Sequence, residues 1–180
     1  MKLLYEEELK EQTLFRVAQK MLLAARTAPK GRGIDNTVMC VISEKEDIAQ
    51  LSRKMHEIGE QYQSPAFIRD AENIFSASFI VIFGSKIQSL GLKKCGICGF
   101  ENCAEKNKHP NIPCAFNTGD LGIAIGSAVS VAMDHRVDNR IMYTIGQAVL
   151  ELGLLGDSVK IAYGIPLSSG PKNPFFDRKS

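Results

Sequence analysis

Several things are scarce in this sequence, and each scarcity narrows its chemistry. Lys and Arg total 22 against 20 Asp and Glu, a net charge of only +2. No basic excess is present to drive nucleic-acid or membrane-surface binding, so neither is expected as a partner. No long apolar run is present either. The longest central one, Leu121 to Met133, is too short to span a bilayer and is interrupted by Gly and Ser. The opening stretch turns acidic at Glu6–Glu8 and lacks the apolar core of a signal peptide. A cytoplasmic location is therefore expected, where thiols stay reduced. Three histidines, His56, His109 and His135, fall on unrelated segments, and no Ser-His-Asp arrangement or carboxylate pair stands out. Internal repeats and domain linkers are also lacking. One domain over residues 1–180 is expected, long enough for a real core.

Against this background the cysteines stand out. The chain has five, and four of them form the pattern Cys95-x2-Cys98-x4-Cys103-x10-Cys114. Clustered thiols in a reducing compartment read as metal ligands or redox groups before they read as disulfides. Gly96 and Gly99 give the first pair the backbone freedom to turn both sulfurs toward one centre and to face amide N–H groups at them. Lys93, Lys94, Lys106 and Lys108 flank the segment, where cations offset the negative charge of a thiolate centre. A [4Fe–4S] cluster fits the spacing best. Zinc is the alternative, but zinc sites built from four cysteines usually use two short pairs, and Cys103 and Cys114 are widely separated. Cys40 lies in an apolar run and reads as core. His109 reads as a solvated loop residue.

Periodicity supplies the frame. A helix is predicted over residues 5–28, with Leu14, Ala18, Met21, Leu22 and Ala25 on one face. It is followed by a strand from Thr37 to Ser43. A second helix is predicted with Ile48, Leu51, Met55, Ile58 and Tyr62 aligned, started by a Ser43/Glu46 capping box. Further predictions are a short helix from Phe67 to Ala77 and a buried central strand from Ser78 to Gly84. Residues 91–115 are expected to form a metal-binding loop. A buried small-residue helix is expected from Asp120 to Asp134, then a strand from Arg140 to Ile145, a helix through Leu155, a strand from Ser158 to Pro166 and an irregular tail.

Two resemblances add to this reading. Cys-Gly-Ile-Cys-Gly-Phe-Glu-Asn-Cys-Ala, residues 95–104, resembles the four-cysteine [4Fe–4S] domain of the corrinoid iron–sulfur protein. In that domain Pro follows the last cysteine, whereas here Pro113 precedes Cys114 and Ala115 follows it. Together with AARTAPKGRGIDN, DHRVDNRIMYTIG and YGIPLSSGPKNPFFDR, the cysteine loop makes the whole chain resemble a family of uncharacterised prokaryotic ferredoxin-domain-containing proteins. That resemblance implies no particular reaction.

The order of elements is also similar to the nitroreductase fold. Ala25-Arg-Thr-Ala-Pro29 resembles the A-R-x-A-P-S turn of that fold, with Lys30 in place of Ser. Asp120 opens a small-residue helix, and Tyr163 to Pro166 resembles the closing strand. This resemblance implies an α/β (α+β) architecture, a central mixed sheet flanked by helices with the cysteine-rich loop inserted. It also implies FMN bound at a homodimer interface. Arg26, Lys30, Arg32 and Asn36 are then candidates for the flavin phosphate, with Lys172 or Arg178 contributing from the tail. Arg26 and Lys30 read equally well as ordinary charges at a helix C-terminus. Gly31 and Gly33 alone are a weak phosphate-loop signal.

Two functions follow. One is an iron–sulfur redox protein, carrying electrons or acting as an FMN-dependent oxidoreductase, with a redox protein or a small molecule as partner. The other is a non-catalytic protein whose four cysteines hold structural zinc and whose surface binds a protein partner. Oxygen sensing is a third, weaker option, because no DNA-binding motif accompanies the cysteines.

Overall fold

The structure is a computed structural model that describes residues 1–176 of the chain. Its helices are α1 (Glu6–Thr27), α2 (Lys45–Gln61), α3 (Pro65–Asn73), α4 (Cys103–Asn107), α5 (Ala115–Asp134) and α6 (Tyr143–Glu151). Its strands are β1 (Thr37–Ile42), β2 (Phe79–Lys86), β3 (Asp138–Asn139) and β4 (Val159–Ser168), with single 3-10 turns at Gly31–Gly33 and Ile74–Ser76.

The strands pair in the order β1-β2-β4-β3, and every pairing is antiparallel. The expected α/β architecture is present, but the sheet is antiparallel rather than mixed among the described residues. β2 explains how the layers form. Successive strand side chains point to opposite faces. Phe79, Val81 and Phe83 pack with α1 and α5 on one side, while Ile80 and Ile82 pack with α2, α3 and α6 on the other. All five are at most 5% exposed. A strand apolar from Phe79 to Phe83 thus sits between two helical layers, as its sequence predicts.

The helices supply matching stripes. Leu14, Val17, Ala18, Met21 and Ala25 of α1 face Leu121, Ala124, Ile125, Ala128 and Ala132 of α5 in the first core. Ile48, Leu51, Met55 and Ile58 of α2 enter the second with Ile145, Ala148 and Val149 of α6. The α6–β4 contact is especially close. A Cβ on Gly146 would stand 1.8 Å from the Ala162 carbonyl oxygen, and one on Gly164 would stand 2.1 Å from Ile145 Cγ2.

Four local expectations change. Residues 140–145 do not form a strand: only Asp138–Asn139 pairs with β4, Met142 makes an isolated bridge to Gly164, and α6 begins at Tyr143. The β-branched Thr144 and Ile145 are helical because their burial lies there. Thr144 donates to Asp70 at 2.8 Å, and Ile145 is fully buried against the sheet. Such packing overrides strand propensity. Second, the Ser43/Glu46 capping box is absent. α2 is preceded by Glu44 without a side-chain cap, and the Ser43 hydroxyl turns to the Glu44 carboxylate.

Third, α5 starts at Ala115 rather than Asp120, and it is buried on one face only. Gly119, Gly122 and Gly126 are exposed on the other, with Ile123 48% and Met133 59% exposed. Fourth, the expected loop 91–115 contains the short helix α4 and ends on the first residue of α5. No helix among the described residues is long and apolar enough to cross a membrane.

Candidate metal centre and flavin-phosphate residues

The cysteine segment leaves the sheet at Lys86 and returns at α5, and one side chain holds both ends. Asn117 is 1% exposed. Its Oδ1 accepts from the Gln88 N–H at 3.0 Å and the Cys114 N–H at 3.2 Å, and its Nδ2 donates to the Gln88 carbonyl at 3.0 Å. In return the Cys114 sulfur accepts from the Asn117 N–H, so a thiol occupies the N-cap position of α5. That position normally takes Ser, Thr, Asp or Asn. The Cys-x-x-Asn spacing is a capping-box pattern in disguise, and sequence reasoning missed it.

The other three sulfurs are placed by local turns. Cys103 is the first residue of α4, whose start is capped by Asn102 Oδ1 accepting from the Glu105 N–H at 3.0 Å. Cys95 and Cys98 each precede a glycine in the left-handed region, Gly96 at φ 104° and Gly99 at φ 89°, with the Gly99 N–H donating to the Gly96 carbonyl at 2.9 Å. These are conformations that L side chains rarely adopt. All four cysteines are free thiols. Cys95, Cys98 and Cys103 are half-buried and Cys114 is buried.

Convergence on one point is not found. Among the described residues no three His, Cys, Asp or Glu side chains stand together as a metal-holding group. The donor set fits a thiophilic centre in kind, as four unlinked sulfurs on one short segment. The fold draws the ends of that segment together but leaves its middle to short-range turns. Cys40 belongs to β1, opposite Ile82, and packs against the second core, as its apolar surroundings predict. Burial pushes its thiol up.

The flavin-phosphate candidates cluster near the C-terminus of α1, and three of the four already hold partners within the chain. The Lys30 side chain is 3% exposed, and its ammonium donates to the carbonyls of Ala25 (2.5 Å), Arg26 (3.1 Å) and Ala28 (2.8 Å). Three donors meet three acceptors, so Lys30 terminates the helix and has no donor left for a phosphate. Arg26 pairs with Asp35. Partial burial pushes the Asp35 carboxyl up. Hydrogen bonds from the Thr37 hydroxyl (2.5 Å) and N–H (2.9 Å), together with Arg26, outweigh this and hold it below its ordinary value.

Arg32 donates to the Leu90 carbonyl at 2.7 Å, which ties this turn to the start of the cysteine segment. The Gly31 N–H donates to the Asp120 carboxylate at 3.0 Å. A Cβ at Gly31 would meet Leu90 Cδ1 at 2.4 Å and Phe116 Cδ1 at 2.8 Å. Gly31 therefore serves close packing and not a phosphate cradle. Asn36 differs from these. Its Nδ2 is buried with no hydrogen-bond partner, an unspent donor of a kind that folded proteins seldom leave. Arg178 lies outside the described residues.

The structure thus defines a class: an antiparallel sheet between two helical layers, with a cysteine-bearing segment between β2 and α5. The fold is nitroreductase-like. A nitroreductase with bound FMN from Desulfitobacterium hafniense DCB-2 superposes with a TM-score of 0.62 at 13% identity, over 87% of this chain and 78% of that one. A BluB-like flavoprotein from Clostridium difficile 630 gives 0.56 at 18% identity, over 92% and 83%. A nitroreductase family protein from Clostridium novyi NT gives 0.59 at 12%, over 85% and 73%.

The family described as "Uncharacterized protein containing a ferredoxin domain (DUF2148)" matches residues 111–178, a stretch that includes Cys114 but not the other three cysteines of the segment. An uncharacterized protein of Archaeoglobus fulgidus is 39% identical over 98% of this chain and 97% of its own length. The chain belongs to this ferredoxin-domain family.

Proposed function

We propose that this chain is an iron–sulfur redox protein in which Cys95, Cys98, Cys103 and Cys114 hold one [4Fe–4S] cluster. The observation that carries this reading is the placement of four unlinked thiols on one segment between β2 and α5 of a nitroreductase-like fold. The family's ferredoxin-domain description supports it. A metal-binding loop takes its ligand geometry only with its metal, because binding and local folding are one process. Asn117 would fix the Cys114 end, and the N–H it directs at that sulfur is the kind of contact that stabilises cluster-bound thiolate. When bound, the cluster supplies one-electron transfer.

A flavin between two copies of the chain is the second part of the proposal. The outer face of α5, uncharged from Thr118 to Met133, supports a paired arrangement. Gly119, Gly122 and Gly126 would allow close approach there, and Ile123 and Met133 would gain cover. Asn36 is the phosphate-side candidate with a buried donor to spare. Cluster and flavin together would connect one-electron to two-electron chemistry.

One anaerobic preparation tests both parts. Iron and acid-labile sulfide in a cluster's ratio are expected, with visible absorbance that dithionite bleaches and Cys98→Ser abolishes. FMN released on denaturation is expected from a protein that sediments as a dimer. Stoichiometric zinc without iron or flavin would replace this reading with that of a structural zinc site held by the four cysteines.

A further inference from the structure

The turn that ends α5 carries an arginine where its backbone calls for glycine. His135 caps the helix, and Arg136 follows it at φ 57°, in the left-handed region. The Arg136 N–H donates to the Met133 carbonyl at 3.0 Å, and the Val137 N–H donates to the Ala132 carbonyl at 2.9 Å. This pair of bonds closes many helices, usually around a glycine, and a side chain at that position strains the backbone. A strained backbone kept with a long side chain points to a use for that side chain. Arg32, the other arginine at positive φ, spends its guanidinium on the Leu90 carbonyl. The Arg136 guanidinium makes no hydrogen bond or ion pair among the described residues.

That guanidinium borders a cavity of about 430 Å³ between the first half of α1 and this turn, a size typical of small-ligand sites. Leu4, Leu9, Leu14, Val17 and Val137 give it apolar walls. Leu14, Val17 and Val137 belong to the first core, while Leu4 is 57% and Leu9 41% exposed. Its charged lining is Arg136, Lys10 and Glu6, two cations against one carboxylate, none of them in an ion pair among the described residues. The His135 ring also borders it but is already used. Its Nε2 accepts from the Lys20 ammonium at 2.9 Å, and its Nδ1 donates to the Val131 carbonyl at 2.9 Å.

We propose that this cavity binds a small organic acid with an apolar body, its carboxylate on Arg136 and its chain along Leu9, Leu14 and Val17. The planar fork of a guanidinium matches the two oxygens of a carboxylate. Glu6 on the same lining disfavours a dianion, and leucine walls offer nothing to a fully hydrated one. No residue of the cysteine segment lines the cavity. The site therefore requires neither a cluster nor a flavin in order to form.

The test titrates the full-length protein by calorimetry with octanoate, with octanamide as its uncharged counterpart and with inorganic phosphate. Octanoate should bind on the order of tenfold more tightly than octanamide, and phosphate should not bind. Arg136→Gly removes the guanidinium and relieves the turn. It should abolish the preference for octanoate while raising the urea midpoint. Leu9→Ser should weaken octanoate and octanamide alike. Arg136 also borders a second cavity of about 730 Å³, lined in part by Met133. Met133→Ser should therefore leave octanoate binding unchanged.

Absence of octanoate binding would overturn the proposal, as would equal binding of octanoate and octanamide or tighter binding of phosphate. A loss that follows Met133→Ser and not Leu9→Ser would move the ligand to the other cavity, which also overturns it. So would an Arg136→Gly variant with a lowered urea midpoint, because the arginine would then serve the fold.

Discussion

The central strand and the cysteine segment are neighbours in the chain but are held by different physics. In β2, Ile80 to Phe83 are fully buried, and each is in register with partners in β1 and β4. From Ile87 to Pro113 only Leu90 and Lys106 are buried. That segment is held by a few polar and stacking contacts: Asn117 to Gln88 and Cys114, Arg32 to Leu90, Ser89 to Asn107 at 2.8 Å, and Phe100 on His109. Burial defines the first region and tolerates little change. The second is tied at its ends and free to take its final shape from a ligand.

This contrast can be broken or sharpened by substitution. The largest effect is expected at Gly146, where a methyl group would collide with the Ala162 carbonyl at 1.8 Å. Backbone on both sides leaves no soft atom to yield. Gly146→Ala should cost about 3 kcal/mol or more, at the upper end of overpacking effects, read as a lowered urea midpoint. Phe83→Ala, in the fully buried middle of β2, should cost about 3–5 kcal/mol by the same measurement.

Asn117→Ala joins the two regions. It strands the buried Cys114 N–H and the part-buried Gln88 backbone groups and should cost about 2 kcal/mol. Iron retention should fall with it, because Cys114 loses its fixed position. If iron content is unchanged while stability falls, the staple supports the fold alone.

The smallest effect is electrostatic and lies at the α1–β1 turn. The Asp35 carboxyl is held below its ordinary value of 3.8 in the folded chain. Its contribution is therefore present at pH above that value and is lost as pH falls through the lower folded value. Asp35→Asn should destabilise modestly at neutral pH, and the difference from the wild type should shrink in unfolding curves taken below about pH 4. A difference constant from neutral to strongly acidic pH would show that charge at Asp35 is immaterial.

Much of the fold was legible because long periodic stretches carry their own address. α1 and β2 lie within a few residues of their expected limits, and α2 buries four of its five predicted positions, with Tyr62 just past its end and exposed, since stripes such as Leu14–Val17–Met21 and the unbroken run Phe79–Phe83 have few other places to go. Residues 140–145 misled for a physical reason. Ile145 is strand-like in isolation, but it is held in a helix by the close approach of Gly146 to β4 and by the Thr144–Asp70 hydrogen bond. At the candidate site, the reading of Arg26 and Lys30 as charges at a helix C-terminus describes Lys30 well. The role of Asn117 escaped notice because it depends on Gln88, 29 residues away.

The sequence alone determined the alternation that makes β2 a two-faced central strand, the apolar stripes of its helices and the concentration of four thiols and five lysines on one segment, because these are properties of spacing. Only the tertiary structure decided that Asn117 ties Gln88 to Cys114, that Arg32 reaches the Leu90 carbonyl and that the Gly31 N–H meets Asp120. Each of these depends on which distant backbone groups come within about 3 Å, the range over which a hydrogen bond or packing contact acts, and spacing along the chain does not record that.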